Sequence, residues 1–376
     1  MRVHGRTSIH EFLGDMIVYR NLAPMDHRLP PLADIRSEVR LAQGVTPRKT
    51  ELAYARIIVH LLRQARVLDA PGTCIERLVY VGDTRLNDGT AFTNICCIGG
   101  WHGRAFIAAE SDDPAYIEVS KQGQERIYLT NRWAALAGFD RSCREEGFPL
   151  DARAAVIIDL DKTALGARGR NDHVIDEARV EAVRHTVGDL LGGDFDAAGF
   201  QVAYDCLNQP EFHPFTTDNQ DYLAYICLVL GSGLYTLETM VAEIRAGRLA
   251  SFAQFLAEVD SRAAGFGPAL CDIHRDVYTL VLRGDPTPLK VFRHNEYLAT
   301  LERMGCVDDQ APLPEFLKRE ILITEEVRSV ALEWRRRGAL LFGLSDKPDE
   351  ASIPTDDLAT RGYRPIHQVE THAVGG

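Results

Sequence analysis

Three short runs of apolar residues stand out along the chain: Arg77–Val81 (RLVYV), Ala154–Ile158 (AAVII) and Ala339–Leu344 (ALLFGL). Each is nearly continuous in hydrophobicity rather than alternating, the pattern of a parallel strand covered on both faces, and each follows a stretch of helical periodicity. Met16 to Tyr19 is a candidate for one further strand. Between the runs, Leu52, Ala55, Ile58, Leu61 and Leu62 form an apolar stripe on a helix expected to start near Thr46-Pro47. A second helix, opening at Thr324-Glu325-Glu326, carries Val327, Val330, Ala331 and Trp334 and ends near Gly338. Strands alternating with helices predict an α/β fold with a Rossmann-like, doubly wound parallel sheet. All three runs are followed at once by polar residues, Gly82-Asp83-Thr84, Asp159-Leu160-Asp161 and Ser345-Asp346-Lys347. Ligands of open α/β sheets bind outside the carboxyl ends of the strands, so these tips are candidates for one shared site.

From Gly166 to Lys318 the pattern turns mainly helical, with apolar segments at Val180–Leu191, Asp221–Leu230, Leu234–Ile244, Phe252–Val259 and Tyr278–Leu282, broken by Gly231-Ser232-Gly233 and Gly265-Phe266-Gly267. The expected division is therefore a core of residues 1–165 with 319–376 and a helical domain of residues 166–318. Thr216 to Gln220 reads as the cap of the helix beginning near Asp221. Beyond Lys347, Pro348, Pro354 and Pro365 predict loop at the surface with little regular structure.

Composition narrows the function. The chain has 376 residues, 45% hydrophobic and 26% charged, with a formal net charge of -12 that disfavours nucleic acid and anionic membrane surfaces. Its longest apolar stretch, Tyr222 to Leu230, is far short of the roughly 18–20 residues of a membrane span. The first twenty residues lack the apolar region of a signal peptide, and the eight cysteines show no paired spacing, so a cytoplasmic protein with reduced thiols is expected. No GxGxxG follows a strand and no Walker A run is present, while Cys271 and His274 lack a second pair for zinc.

The most informative run is Val156-Ile157-Ile158-Asp159-Leu160-Asp161-Lys162-Thr163. Two carboxylates just beyond a buried strand repel unless a cation intervenes or one of them keeps its proton, which points to a metal or to a division between ionised and protonated forms. A strand followed by DxDxT resembles the first motif of the haloacid dehalogenase superfamily of phosphatases. That resemblance makes Asp159 the nucleophile that accepts a phosphoryl group and Asp161 the acid/base for the leaving oxygen and then for water, with Thr163 beside the phosphate. The run Gly82-Asp83-Thr84-Arg85-Leu86-Asn87-Asp88 is similar to the family's acidic GDxxxxD signature, which implies Asp83 and Asp88, with Asp159 and Asp161, around Mg²⁺ or its waters. Ser345 matches the hydroxyl of the second motif, and Lys49, with Lys347 as its competitor, the lysine of the third.

In this chain the motifs read third, fourth, first, second, a cyclic rotation of the family order. Such a rotation corresponds to a circular permutation. The long helical stretch between the first and second motifs occupies the place of a cap domain, and Arg168, Arg170 and Asn171, directly after the nucleophile segment, are the candidates for substrate contact. The implied activity is Mg²⁺-dependent hydrolysis of a small phosphorylated metabolite. A phosphotransferase or phosphomutase would use the same residues, and a non-catalytic ligand-binding protein of the same fold is the alternative from another class.

Overall fold

Residues with branched or aromatic side chains over short spans form ten strands in the computed structural model, which describes the whole chain except Gln43, Gln124 and Asp218 and the side chains of Gln122, Ala264 and Ala269. They are β1 (Arg2–Thr7), β2 (Ile17–Val18), β3 (Arg77–Gly82), β4 (His102–Ala108), β5 (Ile117–Gln122), β6 (Glu125–Thr130), β7 (Ala154–Asp159), β8 (Ile323–Thr324), β9 (Leu340–Leu344) and β10 (Thr371–Gly375). Seven of them make one sheet in the order β2-β9-β7-β3-β4-β6-β5, parallel throughout except for the antiparallel edge strand β5. The protein is thus a mixed α/β structure on a mostly parallel sheet.

All three predicted runs are central strands of that sheet, and Ile17–Val18 lies beside β9. Every residue of β7 is buried, which is why its sequence is apolar without alternation from Ala154 to Ile158. Ala155 and Ile157 join a core with Leu78, Tyr80, Phe342 and the inner face of the helix Leu52–Asp69. From β3 the chain winds outward through β4 to β6, and from β7 it winds the opposite way to β9, so the order reverses between β3 and β7. The crevice at the carboxyl ends of β7 and β3 is the sheet's switch point.

The other three strands form a small sheet, β1-β10-β8, in which β1 and β10 pair antiparallel from Arg2 opposite Gly375 to Thr7 opposite Thr371. This corrects the expectation of an irregular, surface C-terminal segment: Thr371 to Gly375 is buried. His372 in β10 is held by Glu320 (2.7 Å) and Asp309 (3.1 Å). Its partners are remote in sequence, so no local pattern announces it.

By its internal packing the chain divides into two compact units, residues 1–177 with 300–376, and residues 178–299. The second unit is helical and shorter than the span 166–318. In it the helix Gln220–Gly231 is capped by Asn219, which accepts the Asp221 N–H (2.9 Å); Asp218 of the expected capping cluster lies outside the described residues. Asp221 is fully buried against Arg293 (2.8 Å) and the Leu289 N–H (3.1 Å), and beside it Tyr225, Phe252 and Phe255 pack edge-on. No helix among the described residues is long and apolar enough to cross a membrane.

Candidate functional site

The strand register sets the site. Val81 pairs with Ile158 and Asp159 with Leu344, so Asp159, Asp83 and Ser345 lie at the ends of three adjacent strands. Beyond Asp159 the chain folds back at once: the Thr163 and Leu165 amides donate to the Leu160 carbonyl and the Ala164 amide to the Asp159 carbonyl. Lys162 takes a left-handed conformation (φ +61°) to make that turn, a position a side chain seldom occupies.

Asp83, Asp88 and Asp159 each place a carboxylate oxygen within 4.8 Å of the others. Asp88 reaches this position because the loop from Gly82 turns straight into the helix Asn87–Gly99. Its Oδ2 accepts from the Asp83 and Thr84 amides (2.9 and 2.8 Å) and from Thr84 Oγ1 (3.0 Å), while Oδ1 accepts from the Tyr80 hydroxyl (3.2 Å). The carboxylate lies so close over the strand end that a Cβ at Gly82 would sit 2.5 Å from Oδ2, which fixes glycine there. Lys49 enters from the turn that precedes the helix Leu52–Asp69, not from the helix itself, and its Nζ lies 2.6 Å from both Asp159 Oδ1 and Asp88 Oδ1.

One buried ammonium and the partly exposed Arg168 face three carboxylates, and the protonation equilibria show the imbalance. Burial raises Asp159 well above the ordinary carboxylate range, with Asp88 and Asp83 adding to the rise and Lys49 opposing it. Burial and then the Asp88 charge push Asp83 up to about 7, against the pull of Arg168. Asp88 is lowered to about 2: burial works against this, and Lys49 and the Thr84 amide outweigh it. Lys49 stays charged, raised by Asp159 and Asp88 despite burial. Burial thus works against the charges of Asp83 and Asp159, and a divalent cation between them would offset it.

The donor set is all carboxylate oxygen, the hard type that Mg²⁺ or Ca²⁺ takes. Both oxygens of Asp88 are already engaged by the chain, so it fits as the group that positions the loop and orients water, while Asp83 and Asp159, each held by a single cationic side chain, fit as direct ligands.

The remaining predicted residues separate into two groups. Asp161 and Thr163 lie in the turn beyond β7; Thr163 is fully buried, its hydroxyl has no hydrogen-bond partner among the described residues, and its carbonyl accepts from Thr324 Oγ1. Ser345 is buried, its amide bound to the Val18 carbonyl and its Oγ accepting from the Lys347 amide (3.0 Å). Of the two candidate lysines, Lys49 meets Asp88 and Asp159, and Lys347 Nζ lies 3.5 Å from Thr300 Oγ1. Arg168 donates from Nε to Asp83 Oδ2. Arg170 and Asn171, expected at the substrate, are instead built into the scaffold. Arg170 is 4% exposed, clamped between Glu110 and Glu326, and Asn171 ties the Leu317 carbonyl (2.6 Å) to the Leu322 amide (3.2 Å).

Tyr80, Thr84 and Glu110 are site residues that the sequence reading passed over. A tyrosine inside the apolar run RLVYV, whose hydroxyl needs a partner when buried, was the available signal for the first. No known protein family matches the chain, and no curated protein or solved structure is significantly similar to it.

Proposed function

We propose that this chain is a Mg²⁺-dependent phosphohydrolase of the haloacid dehalogenase type, with a circularly permuted core, acting on a small phosphorylated metabolite. The observation that carries the reading is the meeting of Lys49, Asp83, Asp88 and Asp159, four residues from three separate segments, at the switch point of the sheet. A rotated count supports it further: numbered from β7 through β9 and β2 to β3, β4 and β6, the sheet reads 3-2-1-4-5-6, the doubly wound order, with the DxDxT segment after its first strand.

In this reading Asp159 attacks the phosphorus atom and forms an aspartyl-phosphate, Asp161 gives a proton to the leaving oxygen, and Asp161 then takes a proton from the water that releases phosphate. Two displacements at a positioned carboxylate replace one harder attack by water. Lys49 offsets the charge of Asp159 as an anion approaches, and Asp88 fixes the loop bearing Asp83 through its two amides. Ser345 and Thr163 offer hydroxyls at the neighbouring tips for phosphoryl oxygens. Mg²⁺ on Asp83 and Asp159 would supply the charge neutralisation that lets a carboxylate nucleophile meet a phosphate.

Phosphate release from an aryl phosphate and a panel of phosphorylated metabolites, with Mg²⁺ and with EDTA, tests the proposal. Turnover that needs Mg²⁺ and disappears in Asp159→Asn is expected. Equal release by the wild type and Asp159→Asn across the panel would overturn it.

A further inference from the structure

The backbone of the loop after the DxDxT segment is tied to its surroundings at several points. The Gly166 amide donates to the Leu322 carbonyl (2.8 Å) and the Arg168 amide to the Lys162 carbonyl (2.8 Å). The Arg168 carbonyl accepts from the Glu110 amide (2.9 Å) and Trp133 Nε1 (3.2 Å). Gly169, at φ +77°, packs against Glu110 so tightly that a Cβ would sit 1.8 Å from the Glu110 carbonyl oxygen. Arg170 then grips Glu110 and Glu326 with both sides of its guanidinium and reaches the Val374 carbonyl (3.2 Å).

What this scaffold presents is Arg168. Its side chain is 36% exposed while that of Asp83, its partner, is 7% exposed. The guanidinium therefore reaches from the solvent side onto a buried carboxylate that is also one of the two fitted ligands of a divalent cation. Five N–H donors in a planar fork suit phosphate oxygens as well as they suit a carboxylate, and a pair with one solvent-facing partner exchanges readily.

Resting on the phosphohydrolase reading, we propose that Arg168 is the resident counter-cation of Asp83 in the unloaded site and passes to the phosphoryl oxygens of the substrate once a divalent cation engages Asp83. Arg168 then competes with the metal on one side and completes the anion site on the other. Binding of metal and of phosphate becomes mutually supportive, because the ion that occupies Asp83 frees the group that binds the anion.

Equilibrium binding tests this without any turnover. Mg²⁺ affinity is measured by calorimetry at pH 8.5 for wild type, Arg168→Gln and Arg168→Lys, and inorganic phosphate affinity is measured on the same proteins with and without Mg²⁺, circular dichroism serving as the check on folding. Removing the competing charge should tighten Mg²⁺ binding in Arg168→Gln roughly tenfold, weaken phosphate binding in the presence of Mg²⁺ by a similar factor, and reduce the dependence of one on the other. Arg168→Lys should fall between the two, retaining charge without the fork. Mg²⁺ affinity unchanged or weakened in Arg168→Gln would overturn the counter-cation role. Phosphate affinity unchanged in that variant would overturn the hand-over. A protein that binds both ions as expected but hydrolyses nothing would instead count against the phosphohydrolase reading alone.

Discussion

Replacing Asp83 with asparagine should stabilise the metal-free protein at alkaline pH and do little at acid pH. Burial beside Asp88 raises the Asp83 carboxyl from 3.8 to about 7. Between these values the folded chain keeps a proton that the unfolded chain has released, so stability is fully present below about pH 4 and is lost as pH rises through about 7. At about 1.4 kcal/mol per pH unit the full displacement corresponds to about 4 kcal/mol. Asp83 and Asp88 titrate as a pair, and Asp88, lowered to about 2, contributes in the opposite sense, with stability present above about pH 4 and lost as pH falls through about 2. A net gain of about 2–4 kcal/mol for Asp83→Asn at pH 8 follows. The substitution keeps the backbone amide that donates to Asp88, and the Arg168 side chain it releases is already a third exposed and can be hydrated. Trp101, Trp133 and Trp334, the three tryptophans of the chain, all belong to the unit that carries the carboxylates, so urea unfolding followed by tryptophan fluorescence in EDTA reports that unit. A difference at pH 8 that shrinks to about 1 kcal/mol at pH 4.5 is the expected result. If Asp83→Asn is destabilised equally at both pH values, the carboxylate is not held against its charge and the reasoning about the cluster fails.

Three further outcomes follow from the same geometry. Lys49→Met leaves Asp159 and Asp88 buried without their shared cation and should cost about 3–5 kcal/mol at pH 8 by urea denaturation, less as the pH falls and the carboxylates take up protons. Gly169→Ala should lower the melting temperature sharply and, with the loop displaced from Glu110, weaken phosphate binding as well, whereas Ala substitution at the open Gly138 should leave both nearly unchanged. Because Arg2 and Gly375 are paired neighbours in the small sheet, a variant whose β1 and β10 ends are joined by a short linker and whose new ends lie in the loop 147–151 should keep the wild-type circular dichroism spectrum and its activity; loss of the fold would count against the rotated reading of the sheet.

The centre of the sheet was legible because strands buried on both faces are apolar along their length, as β3 is from Leu78 to Val81, β7 from Ala154 to Ile158 and β9 throughout. The outer strands were not. β6 is half-buried at Glu125, Arg126, Ile127 and Leu129, and β4 opens with His102 and contains Arg104, so neither stands out as a run. β10 was missed for a different reason: its stability comes from β1 and β8, at the other end of the chain and fifty residues upstream. At the site, Asp159 was marked by its place at the end of a buried strand, and Asp83 and Asp88 by their similarity to a GDxxxxD signature; the three carboxylates do meet. Proximity in sequence did not suffice for Arg168, Arg170 and Asn171. All three follow the same strand, yet Arg168 faces the carboxylates while Arg170 and Asn171 hold the loop that aims it, a division set by Glu110 from one other segment and Leu322 and Glu326 from a second.

The proposed chemistry is tested most directly by trapping the covalent intermediate. Asp161→Asn, in which attack of water should be slowed, is incubated with Mg²⁺ and an aryl phosphate, quenched, treated with borohydride to reduce an acyl phosphate to the alcohol, and digested for mass spectrometry. Conversion of residue 159 to homoserine, dependent on both Mg²⁺ and substrate and absent when Asp159 is also replaced, is the expected result. Active enzyme in which position 159 stays unmodified while another residue carries the label would contradict the assignment of Asp159 as the phosphoryl acceptor.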